Sequence, residues 1–270
     1  MPKVAYHLTH PERRTTAVVF ASPHSGRDYP WTFLRRTTLN EHSVRSSEDA
    51  FVDQLFESAP LHGAPLIKAG APRAYVDLNR SADELDPALI EGVARQGHNP
   101  RVASGLGVIP RVVANGQAIY AGKLSMAEAE HRIENYWKPY HTALQGQLDQ
   151  AHLMFGQSIL IDCHSMPHEA MDAVARRGVR RPEIVLGDRF GAAAVVTRNT
   201  PFASAYITQA YGRPGRARHA VQVEIDRALY MNERLIRPNG NFEAFRKLLS
   251  GVIHEIAEIG RAEARPLAAE

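Results

Sequence analysis

Two histidines and a few acidic and basic residues stand where chemistry would need them. His164 lies in the stretch Ser158-Ile159-Leu160-Ile161-Asp162-Cys163-His164-Ser165-Met166. A short apolar run over 159–161 reads as a buried strand that passes abruptly into polar residues. His24 stands in the same relation to the apolar run 17–22, followed by Pro23-His24-Ser25-Gly26. There the proline stops a ladder and the glycine permits a tight turn. Polar groups just past the ends of buried parallel strands are where open α/β sheets place their ligands. Neutral imidazole is the commonest metal-binding side chain. A catalytic zinc takes three protein ligands and keeps one position open. His24 and His164 are therefore read as two ligands of a zinc ion, with Asp49 or Glu48 as the third. The spacing is long and is no HExxH signature. For either histidine alone, a turn imidazole satisfying backbone groups is the plainer alternative.

Glu224 sits in His219-Ala220-Val221-Gln222-Val223-Glu224-Ile225, where apolar and polar residues alternate as in a strand. It reads either as a solvent-facing strand residue or as a general base beside the metal. Arg73, Arg80, Arg111, Arg213 and Arg227 are spread over expected loops and strand ends. An anionic substrate would need at least one such guanidinium fork. Cys163 and His164 point to opposite faces of a strand, so they form no nucleophilic dyad. Cys163 reads as a small buried hydrophobe.

The elements that must hold these residues follow from periodicity. Strands are expected at 17–22, 64–69, 73–80, 159–161, 183–187 and 219–225, with an extended piece at 206–208. A helix is expected over 50–56, capped by Ser47 or Glu48. Another is expected over 125–154, with Ser125 and Glu128 forming a capping box. A short helix is expected over 189–197, and a long amphipathic one over 242–264. Residues 81–117 read as a long loop of the kind that binds ligands, and 167–181 as a charged loop. Strands alternating with helices predict an α/β sandwich around a central sheet.

Composition narrows the classes. The chain has 270 residues, 44% hydrophobic and 23% charged, which suits one globular domain spanning 1–270. A single cysteine excludes an intrachain disulfide framework. No apolar run reaches transmembrane length and no signal-peptide core follows Met1, so a cytoplasmic location is expected. The net charge is +3, with 32 basic residues, mostly arginine. They are scattered apart from short groups such as Arg176-Arg177 and Arg180-Arg181, with no basic run interleaved with aromatics. Nucleic-acid binding is thus not expected.

Taken in order, several of these motifs resemble the N-formylglutamate amidohydrolase family. They are Ser22-Pro23-His24-Ser25-Gly26, Glu48-Asp49 with Phe51-Val52-Asp53, and Asp77-Leu78-Asn79-Arg80. Further along come Gly107-Val108-Ile109-Pro110-Arg111, Asp162-Cys163-His164-Ser165-Met166-Pro167 and Gly187-Asp188-Arg189. The last is His219–Ile225 with Arg227 and Leu229-Tyr230-Met231. The resemblance implies a phosphorylase/hydrolase-like fold: a three-layer α/β sandwich with a central mixed sheet, akin to zinc carboxypeptidases. It implies a Zn2+-dependent hydrolase of an N-acyl amino acid, foremost N-formyl-L-glutamate. In the carboxypeptidase-like relatives a glutamate ligand follows the first histidine by three positions. Arg27 stands there, and the resemblance points to Asp49 instead. Glu224 resembles their catalytic glutamate, and Asn79 and Arg80 their carboxylate-binding pair. Arg111 or Arg227 would serve a second carboxylate. Another N-acyl amino acid or a peptide as substrate, and a metal-free binding protein on the same fold, are the alternatives.

Overall fold

The structure is a computed structural model that describes residues 1–94, 99–113, 116–171, 183–187, 197–198 and 205–261. Its frame is a seven-stranded sheet in the order β1-β3-β2-β4-β7-β5-β6. The strands are β1 (Tyr6–Thr9), β2 (Val18–Ser22), β3 (Leu66–Ala69), β4 (Ser158–Met166), β5 (Ile184–Gly187), β6 (Thr197–Arg198) and β7 (Arg218–Asp226). β3, β2, β4 and β7 run parallel, while β1 and β5 are antiparallel to their neighbours β3 and β7. The sheet is therefore mixed, as expected.

Both faces are covered, which explains the near-continuous apolar runs. Val19, Ala21, Ile67, Leu160 and Ala220 share a core with Tyr140, Leu144 and Leu148 of the helix Lys138–Phe155. Val18, Phe20, Leu66, Ile161 and Cys163 share the opposite core with Leu249 and Ile253 of the helix Phe242–Ile259. Successive residues alternate between the two cores, as strand geometry demands. Cys163 is fully buried, and burial pushes its thiol pKa well up, in keeping with a small hydrophobe.

Several expectations are corrected. β4 does not stop at Ile161. It pairs with β7 over nine residues, from Ser158 opposite Arg218 to Met166 opposite Asp226. Asp162 and His164 therefore lie on the strand itself. Residues 73–80 are turns, not a strand: Tyr75 and Val76 donate to the Pro72 carbonyl, and Asp77 N donates to the Val108 carbonyl. Their alternation reflects a turn segment burying Ala74, Val76 and Leu78. The piece at 206–208 is helical, Tyr206–Tyr211. The helix near 50–56 shrinks to Val52–Leu55. Its N-cap is Phe51, in the left-handed region at φ 67°, with no side-chain cap.

Ser125 does cap its helix, accepting from Glu128 N. That helix is interrupted by a π turn at Ile133–Trp137 before it resumes. Pro139, near the start of the second part, has no N–H with which to continue a regular ladder. The loop 81–117 contains a one-turn helix, Pro100–Ala103. β1 was not anticipated; a four-residue edge strand carries too short a pattern. The helix expected over 189–197 lies outside the described residues except for Thr197, which begins β6. The same holds for Asp188, Arg189, the arginine pairs at 176–181 and residues 262–264. No helix among the described residues is long and apolar enough to cross a membrane.

Candidate functional site

The parallel register places the first two functional groups. His164 of β4 stands directly opposite Glu224 of β7, and Asp162 opposite Gln222. All four point to the same face, because each pair is two residues from the next. On its other side β7 meets β5, with Val185 opposite Glu224. Glu224 is therefore 6% exposed while Val223 is half-buried, which overturns the solvent-facing reading.

β2 delivers His24 two residues past its end. Gly26 lets this turn lie against the neighbouring chain, since a Cβ there would stand 2.1 Å from the Ala71 carbonyl oxygen. Asp49 is brought in by its own backbone, Asp49 N donating to the His24 carbonyl at 3.0 Å. Glu48 instead turns away to Arg45, 3.0 Å from its Nε. Arg27, three positions after His24, is likewise turned away, to Asp53 at 3.0 Å.

His24, Asp49 and His164 are buried, and each offers an atom within 4.8 Å of the others. Asp49 Oδ2 lies 2.9 Å from His164 Nδ1 and 3.4 Å from His24 Nδ1. The far nitrogens are held by other carboxylates. His24 Nε2 is 2.7 Å from Asp77 Oδ1, and His164 Nε2 is 3.0 Å from Asp162 Oδ2. A carboxylate behind each imidazole favours Nε2–H and turns the Nδ1 lone pair inward, the usual arrangement around a metal ion. His24 Nδ1 is buried and has no hydrogen-bond partner. Three acceptor atoms thus face one another, and only a cation or extra protons can reconcile them. The donor set of two imidazoles and a carboxylate suits zinc.

The electrostatics agree. Burial works against the charge of Asp49, but the neighbouring imidazoles of His164 and His24 outweigh it and hold the carboxyl well below its usual range. Burial likewise opposes the charge of His164, but Asp162 and Asp49 raise its pKa well above that of a free imidazole. Asp77 is held down chiefly by Arg73 and His24 against its burial. Glu224 behaves differently. Burial pushes its pKa up to about 7, opposed by His164 and reinforced by Asp49. A carboxyl poised near neutrality suits proton transfer.

A cleft of about 590 Å³ opens over this group. Arg73, Arg80, Arg101 and Arg227 line it, as do Asn79 and Gln222. Arg227 donates through Nη2 to Asp49 Oδ1 at 3.0 Å and through Nε to Ser165 Oγ at 3.1 Å. That leaves Asp49 Oδ2 for the centre. Asn79 Nδ2 lies 3.2 Å from His164 Nε2, and its Oδ1 accepts from Ile207 N. Arg80 donates through Nε to the Leu106 carbonyl and through Nη1 to that of Asn79. Arg111 is elsewhere: it binds Asp86 at 2.7 Å and lines a separate cavity of about 1020 Å³. The structure therefore brings together His24, Asp49, His164, Glu224, Asn79, Arg80 and Arg227, and leaves Arg111 out. Sequence reasoning did not assign Asp77, Asp162 and Gln222 to the site. For Asp162 a signal existed, since a residue two before His164 on a strand shares its face.

Behind the Asn79-Arg80 turn stands the helix Lys138–Phe155 and the π turn before it. His141 Nε2 donates to the Leu78 carbonyl at 2.9 Å, and its Nδ1 accepts from Tyr211 Oη at 2.7 Å. Trp137 Nε1 donates to the Arg80 carbonyl at 2.9 Å. Burial lowers the His141 pKa from 6.5 to about 4. Between those values the unfolded chain binds a proton that the folded one refuses. This contribution to stability is complete above about pH 6.5 and is lost as pH falls towards about 4, on the order of 3 kcal/mol in all. His141→Gln should show a smaller loss of stability than the parent between pH 7 and pH 5 in urea melts. Equal losses in both proteins would clear His141 of this role.

Comparison with known proteins gives a consistent picture. The family model described as N-formylglutamate amidohydrolase matches residues 16–231. The chain is 26% identical over 238 residues to the N-formylglutamate deformylase of Pseudomonas putida, covering 80% of this chain and 82% of that one. It is 28% identical over 220 residues to the enzyme of that name from Pseudomonas aeruginosa, covering 73% and 75%. A crystal structure of N-formylglutamate amidohydrolase from Ralstonia eutropha JMP134 superposes with a TM-score of 0.86 at 33% identity, over 94% of this chain and 98% of that one. A gene product of Agrobacterium tumefaciens shares the fold at a TM-score of 0.67 and 16% identity, over 96% and 95%.

Proposed function

The chain belongs to the N-formylglutamate amidohydrolase family, and from that premise we propose that it hydrolyses N-formyl-L-glutamate to formate and L-glutamate with a zinc ion held by His24, Asp49 and His164. The observation that carries this reading is the convergence of three acceptor atoms, one of them a buried and unpartnered imidazole nitrogen, beside Glu224. The relatives named for this activity support the substrate. Bound there, zinc would supply Lewis acidity, polarising the formyl carbonyl and acidifying water.

The remaining steps belong to the chain. Glu224 takes a proton from the attacking water and delivers it to the leaving nitrogen, so the amine departs neutral. Gln222 Nε2 donates to Glu224 Oε1 at 2.6 Å and fixes which oxygen is free. Asp77 and Asp162 keep the two imidazoles oriented, and Arg227 keeps Asp49 oriented. Arg80 grips the substrate α-carboxylate, and Asn79 beside it donates to Asp162 Oδ2, the carboxylate that orients His164.

Formate release from N-formyl-L-glutamate is the direct test. Chelation should abolish it and added zinc restore it. Full turnover by protein shown to be metal-free would sink the zinc assignment. No formate from metal-loaded protein would sink the substrate, leaving another N-acyl amino acid or a binding role.

Arg80 gives a sharper check. Its Nε and Nη1 are already spent on backbone carbonyls, so the fork is aimed as a rigid unit. Lysine keeps the charge but cannot copy that geometry. Arg80→Lys should lower kcat/KM by roughly 10- to 100-fold, the worth of a charge-assisted hydrogen bond. Unchanged efficiency would make Arg80 a structural residue.

A further inference from the structure

The cleft carries more guanidinium groups than its own carboxylates occupy. Among the described lining residues are four arginines and three carboxylates, Asp49, Asp77 and Glu224. Arg227 is paired with Asp49 and Arg73 with Asp77, at 3.0 and 3.1 Å. Glu224 takes its hydrogen bond from the neutral amide of Gln222. Arg80 is left with backbone carbonyls and with Glu84 no nearer than 4.0 Å. Arg101 has no hydrogen bond or ion pair from its side chain to any described residue, though its backbone is anchored on both sides. Arg80 meets its loop through Leu106, whose carbonyl accepts from Arg80 Nε and whose N–H donates to the Arg101 carbonyl. The Asn99 side chain accepts from Arg101 N at 3.0 Å and anchors the turn.

Two cations that line one cleft and feel each other's charge are costly unless an anion joins them. Burial lowers the Arg80 pKa, Asp77 opposes the change, and the neighbouring charges of Arg73 and Arg101 add to it. Arg80 and Arg101 are the two cleft guanidiniums without a carboxylate of their own within hydrogen-bond distance. An N-acylated acidic amino acid brings two carboxylates. We propose that Arg101 is the specificity-determining residue of the cleft: it binds the side-chain carboxylate of an acidic N-acyl amino acid while Arg80 holds the α-carboxylate. This rests on the amidohydrolase reading above and replaces Arg111 and Arg227, which are committed to Asp86 and Asp49.

The test compares N-formyl-L-glutamate with N-formyl-L-glutamine, which match in size and differ at the side-chain terminus, a carboxylate in one and a neutral amide in the other. In Arg101→Gln the ratio of their kcat/KM values should fall by roughly 10- to 100-fold, through KM for the glutamate substrate. Using the ratio cancels any loss of folded enzyme. A ratio equal to the parent's would overturn the assignment, whether both efficiencies fall together or neither moves. A parent that releases formate from neither substrate would overturn the deformylase reading, and the Arg101 assignment with it.

Discussion

Glu224→Gln is expected to keep its zinc, bind N-formylglutamate about as well as the parent, and lose ~10²–10⁴ in kcat, the usual share of a positioned general base. Gln is nearly isosteric, and the buried site gives it one clear partner, the Gln222 amide at the present 2.6 Å contact. What it cannot do is accept the proton. The pKa of about 7 makes the native carboxyl able both to take a proton from water and to release it to an amine near neutral pH. Zinc analysis with steady-state kinetics separates the roles. Loss of metal in this variant would make Glu224 a ligand. Retained metal with near-normal turnover would remove it from the mechanism altogether.

His164→Ala should be the most damaging single change, with zinc stoichiometry falling towards zero and formate release with it. His164 faces Asp49 through one nitrogen and Asp162 through the other. Removing it takes away one of the three proposed ligands and leaves two buried carboxylates without that partner. Breaking such a buried arrangement costs about 3–5 kcal/mol, so the variant should also melt earlier. His24→Ala should lose zinc as well, because it removes the unpartnered Nδ1. Full zinc occupancy in both variants, measured on protein purified without chelator, would end the assignment of this trio as ligands.

The legible parts of this protein were those whose pattern is local. The apolar runs at 17–22 and 159–161, the alternation at 219–225 and the cap at Ser125 all became the expected elements, because strand period and capping are read within a few residues. His24 and Glu224 could be singled out by their place on such runs. Other features depended on partners far away in sequence. The length of β4 is set by its nine-residue pairing with β7; Pro167 marks where it stops, but the polar residues from Asp162 on hide its last five positions from a reading of apolar runs. Residues 73–80 alternated like a strand but had no strand to pair with, so turns satisfied their backbone. Arg111 belongs to a motif that looks functional, yet Asp86 claims it. Arg101 carries no local mark at all, and only the shape of the loop brings it into the same cleft as Arg80.

The pairing of β4 with β7 also has a kinetic meaning. His164 and Glu224 are 60 positions apart in the chain, and Asp49 is 115 from His164. Parallel ladders between such distant segments form only after large loops have closed, and the closure entropy must be met before the contacts reward it. The groups proposed for catalysis therefore come together late, once the segments carrying His24 and Asp49 and both central strands have met. Recovery of formate release after dilution from denaturant should thus trail the return of helical signal from the locally formed segments 126–155 and 242–259. In a cell-free synthesis, activity should appear only after the ribosome has released residues beyond Asp226.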